Sequence, residues 1–210
     1  MAVPIQGQVG PQAVQDGATV TLRVDRSAAQ VVSEAHGRYY ETVFRKAMFS
    51  AANSAGVTTT VGAATTYVGL CLSNPIGSPV NLVLNKVGYS FLVQWPAAST
   101  IGLMVGFNNA TQVTHTTPLL PIGNFLGMGA GFGKVDSSAT LPTAPTLQMV
   151  LDAGLTGAIT VATESTNGLV DVEGCIILPP GGYVAFFTST VSGASASWFS
   201  MQWEEVSVAG

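Results

Sequence analysis

The chain has 210 residues, a formal net charge of -4, and only 9% Asp, Glu, Lys and Arg, where an ordinary soluble protein carries about 25%. That length suits one large domain with a sizeable core; the charge excludes a basic footprint for nucleic acid, and no apolar run is long enough to cross a membrane as a helix. So little charge implies an outer surface hidden in an assembly, or covered by Ser, Thr, Asn and Gln.

Taken in chain order, residues 1–18 hold Pro4, Pro11, several Gln and Gly, and no amphipathic period. They read as an extended arm laid on a neighbour through apolar anchors at Val3, Ile5, Val9 and Val14. The opening residues lack a basic n-region and an apolar h-region, so no secretory leader is expected. Val20, Leu22 and Val24 alternate with Thr and Arg as a strand. Residues 27–36 have the composition of a short helix, and 39–49 mix aromatic, β-branched and charged residues as a strand does. Val57 and Val61 flank three threonines, and Val68, Leu70 and Leu72 alternate cleanly.

The clearest strand follows a turn signal at Asn74-Pro75-Ile76-Gly77. Val87, Tyr89, Phe91, Val93 and Trp95 point one way, and Lys86, Ser90 and Gln94 the other. A further strand spans 101–107. Residues 108–146 are different: four prolines and the glycine run from Gly127 to Gly133 predict a long loop region with short strands, a natural contact surface. Strands return at 146–151, 158–162 and 169–178, with Asn167-Gly168 as a tight turn. Pro179-Pro180-Gly181-Gly182 then feeds a strand apolar on both faces. The last strand sets Phe199, Met201 and Trp203 against Ser200, Gln202 and Glu204. About nine short strands with Gly- and Pro-rich turns predict an all-β fold, an antiparallel β-sandwich of jelly-roll type. The expected organisation is an arm over 1–18 and one sandwich domain over 19–210.

Chemistry finds little support. The two histidines, His36 and His115, are the only candidate imidazole bases, and a β-sandwich hydrolase would need one of them beside a carboxylate. No serine stands in a nucleophile-elbow pattern. Cys71 and Cys175 lack the spacing of a zinc site and read as buried free thiols. Asp171 and Glu173 share a strand face, where a solvated surface is a stronger reading than a cation site. The glycine run fails as a phosphate-binding loop, since Met128 and Val135 stand where glycine and a hydroxyl residue are needed; Phe132 breaks the dinucleotide pattern. Tyr183, Val184, Ala185, Phe186 and Phe187 offer no histidine, so a metal-dependent cupin reading fails as well. No catalytic residue, cofactor or metal is therefore expected.

Contact residues are better candidates. Five of the seven basic residues, Arg23, Arg26, Arg38, Arg45 and Lys46, lie early, whereas seven carboxylates and no basic residue follow Lys134. That asymmetry suits complementary contact between copies as well as pairing within one chain. Trp95 and Trp203 continue apolar faces; Trp198 lies off them as an interface anchor or a sugar-stacking platform. With it, Val3, Ile5, Val9, Phe125, Met128 and Phe132 are the expected protein-interface residues.

Several stretches carry a resemblance: His36-Gly37-Arg38-Tyr39-Tyr40-Glu41; Gly69-Leu70-Cys71-Leu72-Ser73-Asn74-Pro75; Val80-Asn81-Leu82-Val83-Leu84-Asn85-Lys86-Val87-Gly88; Leu178-Pro179-Pro180-Gly181-Gly182-Tyr183; and Met201-Gln202-Trp203-Glu204-Glu205-Val206. Together they resemble structural proteins of tailed bacteriophages, most of all capsid decoration (cement) proteins. The resemblance implies a virion protein, assembled in the bacterial cytoplasm, that binds the outside of the head shell. Its partners would be the major capsid protein and further copies of itself, a trimer by preference. The alternative it leaves open is a tail or fibre component that binds a receptor or glycan.

Overall fold

Alternation of apolar and polar residues shapes many of the described strands, Val80–Phe91 and Ser197–Ser207 above all. The computed structural model describes residues 37–92, 95, 97–154, 167–192 and 197–208. The chain divides into two compact units, 1–40 and 41–210. Only 37–40 of the first are described, so everything below concerns the second. The expected arm with Val3, Ile5 and Val9, the strand over Val20, Leu22 and Val24, the helix over 27–36 with His36, and the strand over 158–162 all lie outside the described residues.

A single helical turn, α1 (Tyr40–Phe44), is followed by β1 (Met48–Ala52), β2 (Thr66–Ser73), β3 (Val80–Phe91), β4 (Ser99–Phe107), β5 (Thr114–Leu119), β6 (Ile122–Gly123), β7 (Lys134–Thr140), β8 (Thr146–Gly154), β9 (Asn167–Leu178), β10 (Gly182–Thr188) and β11 (Ser197–Ser207). They form two antiparallel sheets, one in the order β6-β1-β11-β3-β9 and the other β5-β7-β2-β10-β4-β8. The fold is an all-β sandwich, as the alternation predicts.

The strands meet where alternation places their apolar faces. Val87, Tyr89 and Phe91 from β3, Phe199, Met201 and Trp203 from β11, Leu70 and Leu72 from β2, and Val184 and Phe186 from β10 share one core between the sheets. Phe186 and Phe199 stack across it with centroids 4.3 Å apart, and Trp203 stacks on Phe49 at 6.1 Å. Each fully buried large side chain stabilises the fold by about 1.5–3 kcal/mol relative to exposure.

Four local expectations change. Residues 39–49 are not one strand. Glu41 sits in the first turn of α1, where a carboxylate favours the helix start, and Lys46 at φ 61° ends that turn before β1. Asn167-Gly168 is not a turn but the start of β9, opposite Ser90 and Tyr89; the Tyr89 ring lies across Gly168, where a Cβ would collide with it. The strand through Val87 ends at Phe91, although Trp95 beyond it is still buried against Phe91 at 4.9 Å. Cys71 is buried as expected, but Cys175 is exposed, because among the described residues β9 is an end strand and that position faces outward.

The segment between β4 and β8 shapes the molecule most. Both strands lie at one end of the six-stranded sheet, while β5 and β7 extend its other end and β6 extends the second sheet. The chain must therefore cross the sheet's outer face twice. Val113 on the way out and Leu141 on the way back bury against Tyr67, Cys71, Met104, Tyr183 and Ala185, a second apolar cluster outside the sandwich. Tyr183 Oη donates to the Thr143 carbonyl at 2.6 Å, and Tyr67 Oη donates to the Phe186 carbonyl at 2.9 Å. This long segment is thus covered on one side and free on the other.

Candidate interaction surface

On its free side the segment turns sharply at residues 125–128. The Met128 amide donates to the Phe125 carbonyl at 3.1 Å. Gly127, at φ 84°, supplies the left-handed third position that such a turn needs. Leu126 therefore occupies the apex and is 83% exposed. Leu120 is 75% exposed, and Ile122, Phe125 and Phe132 also face solvent. No charged residue occurs from Leu119 to Gly133, which Lys134 follows; the Lys46 ammonium lies over the Phe125 ring at 5.6 Å. Apolar residues scattered singly on a surface need no explanation, but a contiguous group marks a contact site.

This loop is held in shape by its own chain. The Glu205 carboxylate, from β11, accepts from the Phe132 amide at 3.0 Å and the Gly133 amide at 2.9 Å. A Cβ on Gly131 would collide with that carboxylate. The glycine run is thus an anion cradle already filled by an internal carboxylate, a physical reason beyond its letters for rejecting a phosphate site. Met128 sits differently from its expected companions: it is half-buried, packed over Gly123 and against the core. It supports the loop from beneath, while Phe125 and Phe132 are exposed on it.

The opposite end of the sandwich is concave. Among the described residues, β9 and β8 are the end strands of their sheets. Between them runs a groove of about 370 Å³, lined by Phe107, Gln148, Cys175, Ile177 and Pro179. Leu147, Val150 and Leu169 are also exposed on these two strands, but they do not line the groove. Asp171 and Glu173 both lie on the exposed face of β9, as their spacing predicts, with a bulge at Glu173 and Gly174 where φ is positive. Among the described residues no three His, Cys, Asp or Glu side chains gather as metal ligands.

Trp198 lies on the outer face of the five-stranded sheet, half-buried. It borders a shallow trough of about 250 Å³ formed by Gly88, Ser90, Gly168 and Ser200. Its indole N–H is itself buried and makes no hydrogen bond among the described residues. Val3, Ile5 and Val9 lie outside them, so of the seven expected interface residues the structure brings Phe125, Met128 and Phe132 together and leaves Trp198 apart.

His115 meets the geometric requirement set for a hydrolase. Its Nδ1 lies 2.5 Å from Asp136 Oδ2, with the ring 33% exposed and the carboxylate fully buried. Antiparallel pairing of β5 with β7 brings the two together. Burial pushes the Asp136 carboxyl above its ordinary range, and the imidazole pulls it part of the way back. Cys71 stands opposite Asp136 in the register; burial, then the Asp136 charge, pushes its thiol well up, which keeps it protonated and inert. Among the described residues Asp136 is the one hydrogen-bond partner of the His115 ring, so the second ring nitrogen holds no nucleophile there. The pair anchors an exposed edge strand to a buried carboxylate. No protein-family model matches the chain, and no curated protein or solved structure does either.

Proposed function

We propose that the chain is a structural protein of a tailed-bacteriophage particle, a decoration or cement protein that binds the outside of the head shell and stabilises it through protein–protein contacts. The observation that carries this reading is the charge-free apolar loop with Leu126 at its apex, held rigid by Glu205. A protein with so few charges presents such a loop to a partner, here the major capsid protein or another copy of itself. Many such contacts repeated by symmetry add up to strong attachment. The strand order supports a jelly-roll reading: β1-β11-β3-β9 faces β2-β10-β4-β8, and the β5–β7 segment is inserted between the two strands that follow one another within a sheet. The apolar anchors Val3, Ile5 and Val9 suit an N-terminal arm laid on a neighbour. The reading assigns the chain no catalytic step and no cofactor.

Imaging of the source particle by electron microscopy, with an antibody raised against this chain, tests it. Labelling on the head surface at regular copy number is expected; absence from purified particles, or labelling confined to the tail, overturns it. One observation favours the alternative of a glycan-binding tail or fibre component, the trough beside Trp198. Aromatic faces beside small polar residues suit sugar rings. A glycan array that stays blank at high protein concentration removes that alternative.

A further inference from the structure

Strand β5 is the least anchored strand of the six-stranded sheet. Among the described residues it stands at the end of that sheet and pairs only with β7. None of its side chains is buried: Thr114 to Pro118 are exposed and Leu119 is half-buried. Its ladder with β7 slips register twice, between His115 and Thr117 and between Thr117 and Pro118, and Pro118 has no N–H to donate. By contrast β10, inside the same sheet, is buried along nearly its whole length. Among the described residues two side-chain bonds join β5 to β7. Ser137 Oγ donates to the Thr117 carbonyl at a long 3.4 Å, and His115 Nδ1 meets Asp136 Oδ2 at 2.5 Å.

The second bond joins unlike environments. The carboxyl is fully buried and the ring is partly exposed. Asp136 Oδ1 is buried with no hydrogen-bond partner among the described residues. An ionised carboxylate at such a site is costly unless the imidazole supplies a positive charge or the carboxyl keeps its own proton. Cys71 faces Asp136 from β2, and Tyr67 and Tyr183 lie in the same outer cluster; burial pushes all three up, so each stays neutral. Lys134, two positions back on β7, is exposed, where solvent screens its charge. The crossing stretches 108–113 and 141–145 hold no titratable residue.

We propose that His115 and Asp136 form a proton-operated latch. While the pair holds a proton, β5 stays docked on β7; when the pair loses it, β5 leaves the sheet and the rest of the sandwich stays folded. The direction follows from burial. In the docked state burial raises the Asp136 carboxyl above its ordinary range, against the pull of His115, and exposure on release returns it there. Docking is therefore fully favoured below the ordinary carboxyl range and weakens as pH rises through the raised value. Two coupled groups titrate as a pair, so the release belongs to both residues. It moves the edge of the sheet from β5 to β7. The latch goes beyond the particle reading: it names no partner and holds whether or not the chain is a virion protein.

Amide hydrogen exchange on the full chain tests it, with each peptide corrected for the exchange rate of unstructured chain at the same pH. From about pH 4, at the ordinary carboxyl range, to about pH 9, protection of 114–119 is expected to fall at least about ten-fold while that of 182–188 in β10 holds. Asp136→Asn cannot ionise and should leave protection of 114–119 independent of pH. His115→Ala, at an exposed position, strips the carboxyl of its partner and should loosen β5 at every pH, most of all at high pH. At high pH the first variant should thus be better protected than the parent and the second worse. A merely structural role would loosen both alike, and that outcome overturns the latch. So does protection of 114–119 that ignores pH in the parent, or that falls only in step with 182–188, and so does a pH dependence that survives in Asp136→Asn. If that variant fails to fold, His115→Ala decides, since protection equal to the parent's at every pH overturns the latch as well.

Discussion

The six-stranded sheet has two faces, and they are held in different ways. Its inner face is the sandwich core, where Leu70, Leu72, Val184 and Phe186 meet Phe199 and Trp203, and the Trp203 indole N–H, the one polar side-chain group among them, donates to Glu205. Its outer face is covered by the chain between β4 and β8, and there Tyr67, Tyr183 and Asp136 are buried among apolar side chains. Inner packing depends chiefly on buried area. Outer packing depends on hydrogen bonds as well, since a buried hydroxyl or carboxylate without a partner costs free energy. The same segment that covers this face carries the exposed Leu126 loop. The comparison therefore separates what holds the protein together from what it offers to others.

Substitutions can break or sharpen that separation. Trp203→Ala empties a site buried between the sheets and stacked on Phe49. A loss of about 3–5 kcal/mol is expected, seen as a large fall in the urea midpoint; a shift below about 1 kcal/mol would place the core elsewhere. Tyr183→Phe removes only a hydroxyl, leaving the Thr143 carbonyl unpaired. It should cost about 1–2 kcal/mol and speed proteolysis within 141–145 more than elsewhere. If cleavage does not localise there, the crossing is not held by that bond.

Asp136 gives a pH test. Its folded pKa is raised, chiefly by burial, so its contribution is fully present below the ordinary carboxyl range. That contribution is lost as pH rises through the raised folded value. Asp136→Asn keeps an acceptor for His115 and should flatten this part of the stability–pH curve. A curve unchanged in shape would mean that the carboxylate is not penalised by its burial. The smallest effect on stability belongs to Leu126→Asp. On an exposed apex it should change unfolding by less than about 0.5 kcal/mol. A large loss of stability there would show that the loop belongs to the core.

The sandwich was legible because period-two alternation reports burial directly. Val87, Tyr89 and Phe91, and Phe199, Met201 and Trp203, fall on the inner face as their spacing requires. Local chemistry was less legible. Asn167-Gly168 has the letters of a turn, yet Tyr89 on the neighbouring strand uses Gly168 as a flat seat. Leu126 had a signal, the glycine after it, but a turn apex can be read only when the hydrogen bond from Met128 to Phe125 is known. Cys175 looked buried by its apolar neighbours, and only the place of β9 at the end of its sheet exposes it.

By itself, then, the sequence determined an all-β chain of low charge, the inward face of most strands, and a loop region around Phe125 and Phe132 suited to contact. Those properties are local, or follow from a two-residue period. The tertiary structure alone decided that Asp136 would meet His115, that Glu205 would fill the glycine run, and that the Leu126 loop and the β8–β9 groove would stand at opposite ends of one sandwich. Each depends on which strands are neighbours, and strand order is set by long-range pairing that no local period encodes.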